Sequence, residues 1–178
     1  MPRTELERRV RQSLLDRLVD EGPRADGRPP PADPPETREG SAARYRLGVL
    51  RDVEWLLNTR RTPVPVPGGC AELARSVFAY GLPDTTGVAV GTPQGRERLV
   101  RWVEETVNTF EPRLAGARVT LAEADQLRSP QVHFVLTAML RMDPSPERVV
   151  FDTVLDLASG GYAVRDAAAR DAAPEGAR

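Results

Sequence analysis

Leu6, Val10, Leu14, Leu15 and Leu18 recur at intervals of three and four, the spacing that lines one stripe of a helix, and they predict an amphipathic element over 6–19. The pattern then stops at Pro23 and at a run from Pro29 to Pro35 too dense in proline to hold helical hydrogen bonds, which predicts an extended linker. The expected organisation is a docking helix over 1–20, a Pro-rich linker over 21–40, a folded domain over 41–165 and a disordered tail over 166–178. A leucine stripe on such a tether has either to fold back onto the domain or to meet a partner.

Helical spacing resumes after Ser41, a suitable N-cap, with Leu47, Leu50, Val53, Leu56 and Leu57 facing inward and Arg51, Asp52 and Arg60 outward, up to Pro63. A turn-rich connection over 62–69 leads to a shorter helix marked by Leu73, Ala74, Val77 and Phe78 and stopped by Gly81 and Pro83. Thr92 followed by Pro93 starts a third helix, whose Leu99, Val103, Val107 and Phe110 face the core until Pro112 closes it. From there the period falls to two. Val132, Phe134, Leu136, Ala138 and Leu140 alternate with more polar neighbours, and Val149 to Leu157 repeats the alternation with Phe151, Leu155 and Leu157 on one side. These strands pair through a hairpin loop at 143–146, and a shorter strand over Arg118–Leu121 joins them, because a lone hairpin is marginal. The fold class expected is α+β, three helices on a small antiparallel sheet of about three strands, with the first amphipathic helix tethered to it.

Composition removes several classes of function. No stretch approaches the ~20 apolar residues of a membrane-spanning helix, and the N-terminus carries no apolar signal region, so the expected compartment is the cytoplasm. The 25 basic residues, all arginine, against 26 acidic ones leave a net charge of −1, without the one-signed field that nonspecific nucleic-acid binding needs. Cys70 is the only cysteine, which excludes an internal disulfide, and is expected as a buried thiol. His133 is the only histidine and lies in an alternating strand, where a structural imidazole is expected. No phosphate-cradling glycine motif or Gly-x-Ser-x-Gly elbow occurs, so no cofactor, no metal and no enzymatic activity are expected. The one catalytic alternative is a glycosidase-like pair, Glu104 and Glu111. Their ~10.5 Å rise along a helix exceeds the ~5–9.5 Å window for such pairs, and a solvated face accounts for Glu104 and Glu105.

Glu111-Pro112-Arg113 is a different kind of signal. Proline disfavours helical geometry at Glu111, and in the extended chain that follows, Glu111 and Arg113 project to the same side. A carboxylate beside a five-donor guanidinium suits docking to a partner, with a local surface salt bridge as the plain alternative.

Four strings now stand in order along the chain: Ser13 to Leu18, Arg51 to Arg60, Ser76 to Asp84 and Phe110 to Leu114. Together they resemble the TssE subunits of type VI secretion baseplates, within the lysozyme-like baseplate wedge family of contractile tails. The resemblance implies a structural wedge component with a fold like the sheath subunit's handshake domain. It implies TssF and TssG as wedge-core partners, TssK as a further candidate contact, and a sheet edge offered to strands of the TssB–TssC sheath, at the inner membrane. It assigns Glu111 and Arg113 to the contact with the wedge core and makes Leu14, Leu15 and Leu18 a docking element. Trp55 and Tyr80, inside the same strings, are expected in the core. The alternatives are the equivalent protein of a contractile phage or phage-like particle, disfavoured by Leu14 to Leu18 and Asn58 to Arg61, and, in another class, a peptidoglycan hydrolase.

Overall fold

The computed structural model describes residues 10–18, 37–85, 87–122, 131–143 and 145–167. The expected start of the first helix at Leu6, the linker over 21–36 and the tail past 167 lie outside the described residues. The elements are α1 (Leu14–Leu18), α2 (Arg38–Asn58), α3 (Pro93–Phe110), β1 (Leu114–Leu121), β2 (Gln131–Leu140), β3 (Glu147–Asp156) and β4 (Tyr162–Asp166), with two 3₁₀ turns at Ala71–Arg75 and Val77–Ala79. This is the expected α+β class, with a sheet of four strands instead of about three.

α2 begins three residues before the expected cap. Thr37 is the N-cap, its hydroxyl accepting from the Gly40 N–H at 3.1 Å. Ser41 is instead fully buried in the first turn, where its hydroxyl donates to the Arg38 carbonyl at 2.8 Å and accepts from the Val10 N–H at 3.1 Å. α3 starts as its sequence says, with Thr92 accepting from the Gly95 N–H at 3.1 Å and Pro93 in the first turn, where its missing N–H costs nothing. The helix expected around Leu73 to Phe78 resolves into the two 3₁₀ turns. Ser76 sits between them, its hydroxyl donating to the Leu73 carbonyl and accepting from the Phe78 N–H, a local arrangement that competes with a continuous helical ladder.

The strands run in the order β1-β2-β3-β4, each pair antiparallel. The inward set of β2 is the one its alternation predicts, Val132, Phe134, Leu136, Ala138 and Leu140, all buried. On β3 the buried positions are Val149, Phe151, Thr153 and Leu155, while Leu157 falls past the strand end and is 44% exposed. β1 is longer than expected because it starts directly after the Glu111-Pro112-Arg113 corner, with a register shift between Ala115 and Arg118 accommodated by Gly116 at φ +62°. β4 was not anticipated. Only two of its five residues, Tyr162 and Val164, face inward, too few to register as a period.

The helical stripes complete the core: Val49, Val53, Leu56 and Leu57 of α2 join Leu99, Val103, Thr106 and Val107 of α3 among the buried residues. The stripe on α2 is rotated from the expected one, so that Leu47 is 61% exposed and Val49 takes the inward place. Beyond α2 the chain folds back on itself at Gly81. There Leu82 donates to the Thr59 carbonyl at 2.8 Å and accepts from the Arg61 N–H at 2.7 Å. Gly81 adopts φ +99°, and a Cβ at this position would lie 2.3 Å from the Thr59 oxygen, so only glycine closes the bridge.

Candidate functional site

α3 ends at Phe110, and the Glu111 N–H still donates to the Val107 carbonyl at 2.9 Å before Pro112 turns the chain. The turn sets Arg113 across from Glu111. Its Nε donates to Glu111 Oε1 at 2.6 Å, its Nη2 pairs with Oε2, and its backbone N–H also reaches Oε1 at 3.2 Å. The two side chains thus project together, as the extended geometry implies, but toward each other. The expected free fork for a partner is already engaged, since Glu111 is only 4% exposed and a buried carboxylate without a cation is costly.

The same guanidinium reaches further, with Nη2 donating to Asp52 Oδ2 of α2 at 2.7 Å. The other oxygen of Asp52 accepts from Arg51 Nε at 3.0 Å and Nη2 at 2.7 Å. Arg51 Nη2 in turn donates to Asp16 Oδ1 at 2.7 Å, and Asp16 Oδ2 accepts from the Ser13 hydroxyl at 2.6 Å. The result is one unbroken line of alternating charge, Glu111, Arg113, Asp52, Arg51, Asp16. It ties together three strings that lie far apart in sequence. Burial works against the charge on Arg113, but Glu111 and Asp52 outweigh it and hold its pKa above the usual arginine value. Burial likewise opposes ionisation of Asp16, and the Ser13 and Arg51 hydrogen bonds overcome it, holding the carboxyl below its ordinary 3.8.

Sequence reasoning placed Arg51 and Asp52 on an outward face and missed this line. The available signal was that Asp16, Arg51 and Asp52 lie within the strings instead of between them.

The line fixes the N-terminal segment by its polar side. Val10 is buried, the Gln12 amide donates to the Ser41 carbonyl at 2.7 Å, and Asp16 packs so closely on Gly48 that a Cβ there would lie 2.9 Å from its carboxylate. Within the described residues the helix is five residues long, and residues 10–18 lie on α2 instead of standing apart from the domain. Its leucines point the other way. Leu14 is 73% exposed, Leu15 45% and Leu18 81%. Trp55, expected in the core, is 51% exposed with the Arg51 guanidinium 4.8 Å above its ring, so a further apolar surface adjoins the Asp16–Arg51 pair. Tyr80 is partly buried, its ring 5.4 Å from Phe110 in an edge-on contact. Cys70, expected buried, is exposed, and His133 is partly buried on β2.

Because Asp16 has a lowered pKa in the folded chain, its attachment is complete above the ordinary carboxylate range and is lost as pH falls through the lowered value. Acidification below 3.8 is therefore expected to release residues 10–18 from α2, seen as an increase in exchange of the Val10 amide that Asp16→Asn shows already at neutral pH.

The carboxylates of the catalytic alternative are both committed: Glu111 to Arg113, and Glu104 to Arg118 Nη1 at 2.7 Å and the Val119 N–H at 3.1 Å. Among the described residues no cluster of His, Cys, Asp and Glu is arranged to hold a metal ion, and no helix is long and apolar enough to cross a membrane. A family model described as baseplate wedge protein gp25 matches residues 43–145, more than half of the chain. No curated protein and no solved structure matches it.

Proposed function

Because the chain belongs to the baseplate wedge protein gp25 family and so takes a structural part in the baseplate of a contractile injection system, we propose that it is the TssE-type subunit of a type VI secretion baseplate. It acts without catalysis, docking on the TssF–TssG wedge core and seeding polymerisation of the TssB–TssC sheath, with TssK a further contact. Its place at the inner membrane comes through other subunits.

The observation that carries this reading is the inside-out attachment of residues 10–18. A solitary domain gains by turning leucines inward, whereas here polar Gln12 and Asp16 bond to α2 and Leu14, Leu15 and Leu18 face solvent. Exposed apolar side chains held at a fixed place mark a protein interface. Glu111 and Arg113 serve the contact with the wedge core by fixing the α3–β1 corner and, through Asp52 and Arg51, the leucine-bearing segment. The committed state of Glu104 and Glu111 supports the non-enzymatic reading over the hydrolase.

The reading is tested by affinity purification of the tagged chain from its native cells, with co-purifying proteins identified by mass spectrometry. TssF and TssG are expected in the eluate. Recovery of phage-type tail proteins in their place, or of no baseplate subunit at all, would overturn it.

A further inference from the structure

The two outer strands of the sheet are met by the same device. On the β4 side, Asn58 Nδ2 donates to the Tyr162 carbonyl at 2.8 Å, the Tyr162 N–H donates to Asn58 Oδ1 at 2.9 Å, and the Val164 N–H donates to Glu54 Oε2 at 2.9 Å. On the β1 side, Asn108 Nδ2 donates to the Ala117 carbonyl at 2.9 Å, the Ala117 N–H donates to Asn108 Oδ1 at 3.0 Å, and the Val119 N–H donates to Glu104 Oε2 at 3.1 Å. In each case an asparagine takes both backbone groups of one edge residue, and a glutamate one turn earlier on the same helix takes the N–H two residues further along.

A carboxamide carries the donor and acceptor of a peptide group, and an exchange of two bonds with one residue is what a hydrogen-bonded antiparallel pair makes. Each asparagine is also anchored to its own helix, donating to the carbonyl four residues back, Glu54 or Glu104, at 2.9 Å. The following threonines repeat as well, with Thr59 and Thr109 donating to the Trp55 and Glu105 carbonyls at 2.7 Å. The string Glu-x-x-x-Asn-Thr at 54–59 thus recurs at 104–109, on the helix that serves the opposite edge.

Unpaired edges invite strand addition from other chains, and proteins protect them. We infer that the two Glu–Asn pairs are side-chain stand-ins for a neighbouring strand, closing both edges of the free subunit against a second copy and yielding only when an extended strand displaces them. The closure stands on the isolated chain. Only the identity of the displacing strand, one from the sheath, rests on the function proposed above. On this account the subunit does not polymerise with itself before assembly.

The test uses the full purified chain and its Asn58→Ala and Asn108→Ala variants, with Asn58→Asp as a near-isosteric variant that removes the donor and keeps the acceptor. Exchange of the Tyr162 amide, whose acceptor is Asn58, is expected to rise at least roughly tenfold in dilute Asn58→Ala, with β2 and β3 unchanged. On concentration the same amide becomes protected again as dimers form in sedimentation, at concentrations where wild type is monomeric. Asn108→Ala is expected to do the same at Ala117, and Asn58→Asp to show a smaller effect at Tyr162. Variants that stay monomeric with unchanged edge exchange would overturn the inference. So would exchange that rises uniformly through the sheet without dimers, since the pairs would then serve stability alone. Failure of the co-purification leaves these outcomes readable, and failure here leaves the wedge assignment standing.

Discussion

Arg113→Ala is expected to destabilise the domain by about 3 kcal/mol, the cost typical of removing one partner from a buried ion pair. Glu111 is left 4% exposed with its main cation gone, and Asp52 loses the link from α2 to the α3–β1 corner. Equilibrium denaturation measures the loss directly. A much smaller change, within the ~0–1 kcal/mol of a surface pair, would mean that the pair is not effectively buried. A double replacement, Glu111→Leu with Arg113→Met, is expected to recover most of the stability, because uncharged side chains of similar volume carry no unpaired charge. The consequence reaches function. Alanine at either position confounds docking with folding, whereas the double variant separates them: folded yet unable to join the wedge if the charges themselves touch the partner, folded and competent if they act by fixing the α3–β1 corner.

Leu14→Ser, Leu15→Ser and Leu18→Ser together are expected to act in the opposite sense. All three side chains are exposed, so the isolated domain keeps its stability to within about 0.5 kcal/mol. Removing three apolar contacts from a docking surface is nevertheless expected to abolish recovery of TssF and TssG from cells, since a few buried anchors carry most of an interface. Unchanged recovery would remove the docking role from this segment.

How far the sequence foretold these features follows from how locally each is encoded. α3 was legible to its first residue because Thr92, Pro93 and Pro112 act through neighbouring backbone groups. The inward face of β2 was legible because alternation over ten residues leaves one consistent face. The rotation of α2 was not, because Leu47 and Val49 are equally apolar and only packing chooses between them. β4 was missed because only Tyr162 and Val164 face inward, and the Glu–Asn pairs because each joins a helix to a strand edge that only the folded sheet brings beside it, nine positions away for Asn108 and Ala117 and more than one hundred for Asn58 and Tyr162. The Glu111-Pro112-Arg113 corner was found by its local geometry. Its continuation through Asp52 and Arg51 to Asp16 is a tertiary fact, and with the bonds of Val10 and Gln12 to Ser41 it folds the N-terminal segment back with its leucines outward.

The proposed seeding of the contractile sheath by this wedge subunit is read by counting fluorescent sheath tubes in native cells lacking the chain. Almost none are expected, with normal numbers restored by the wild-type chain and not by the leucine-to-serine triple variant. Sheaths of ordinary number and length in the absence of the chain would contradict it.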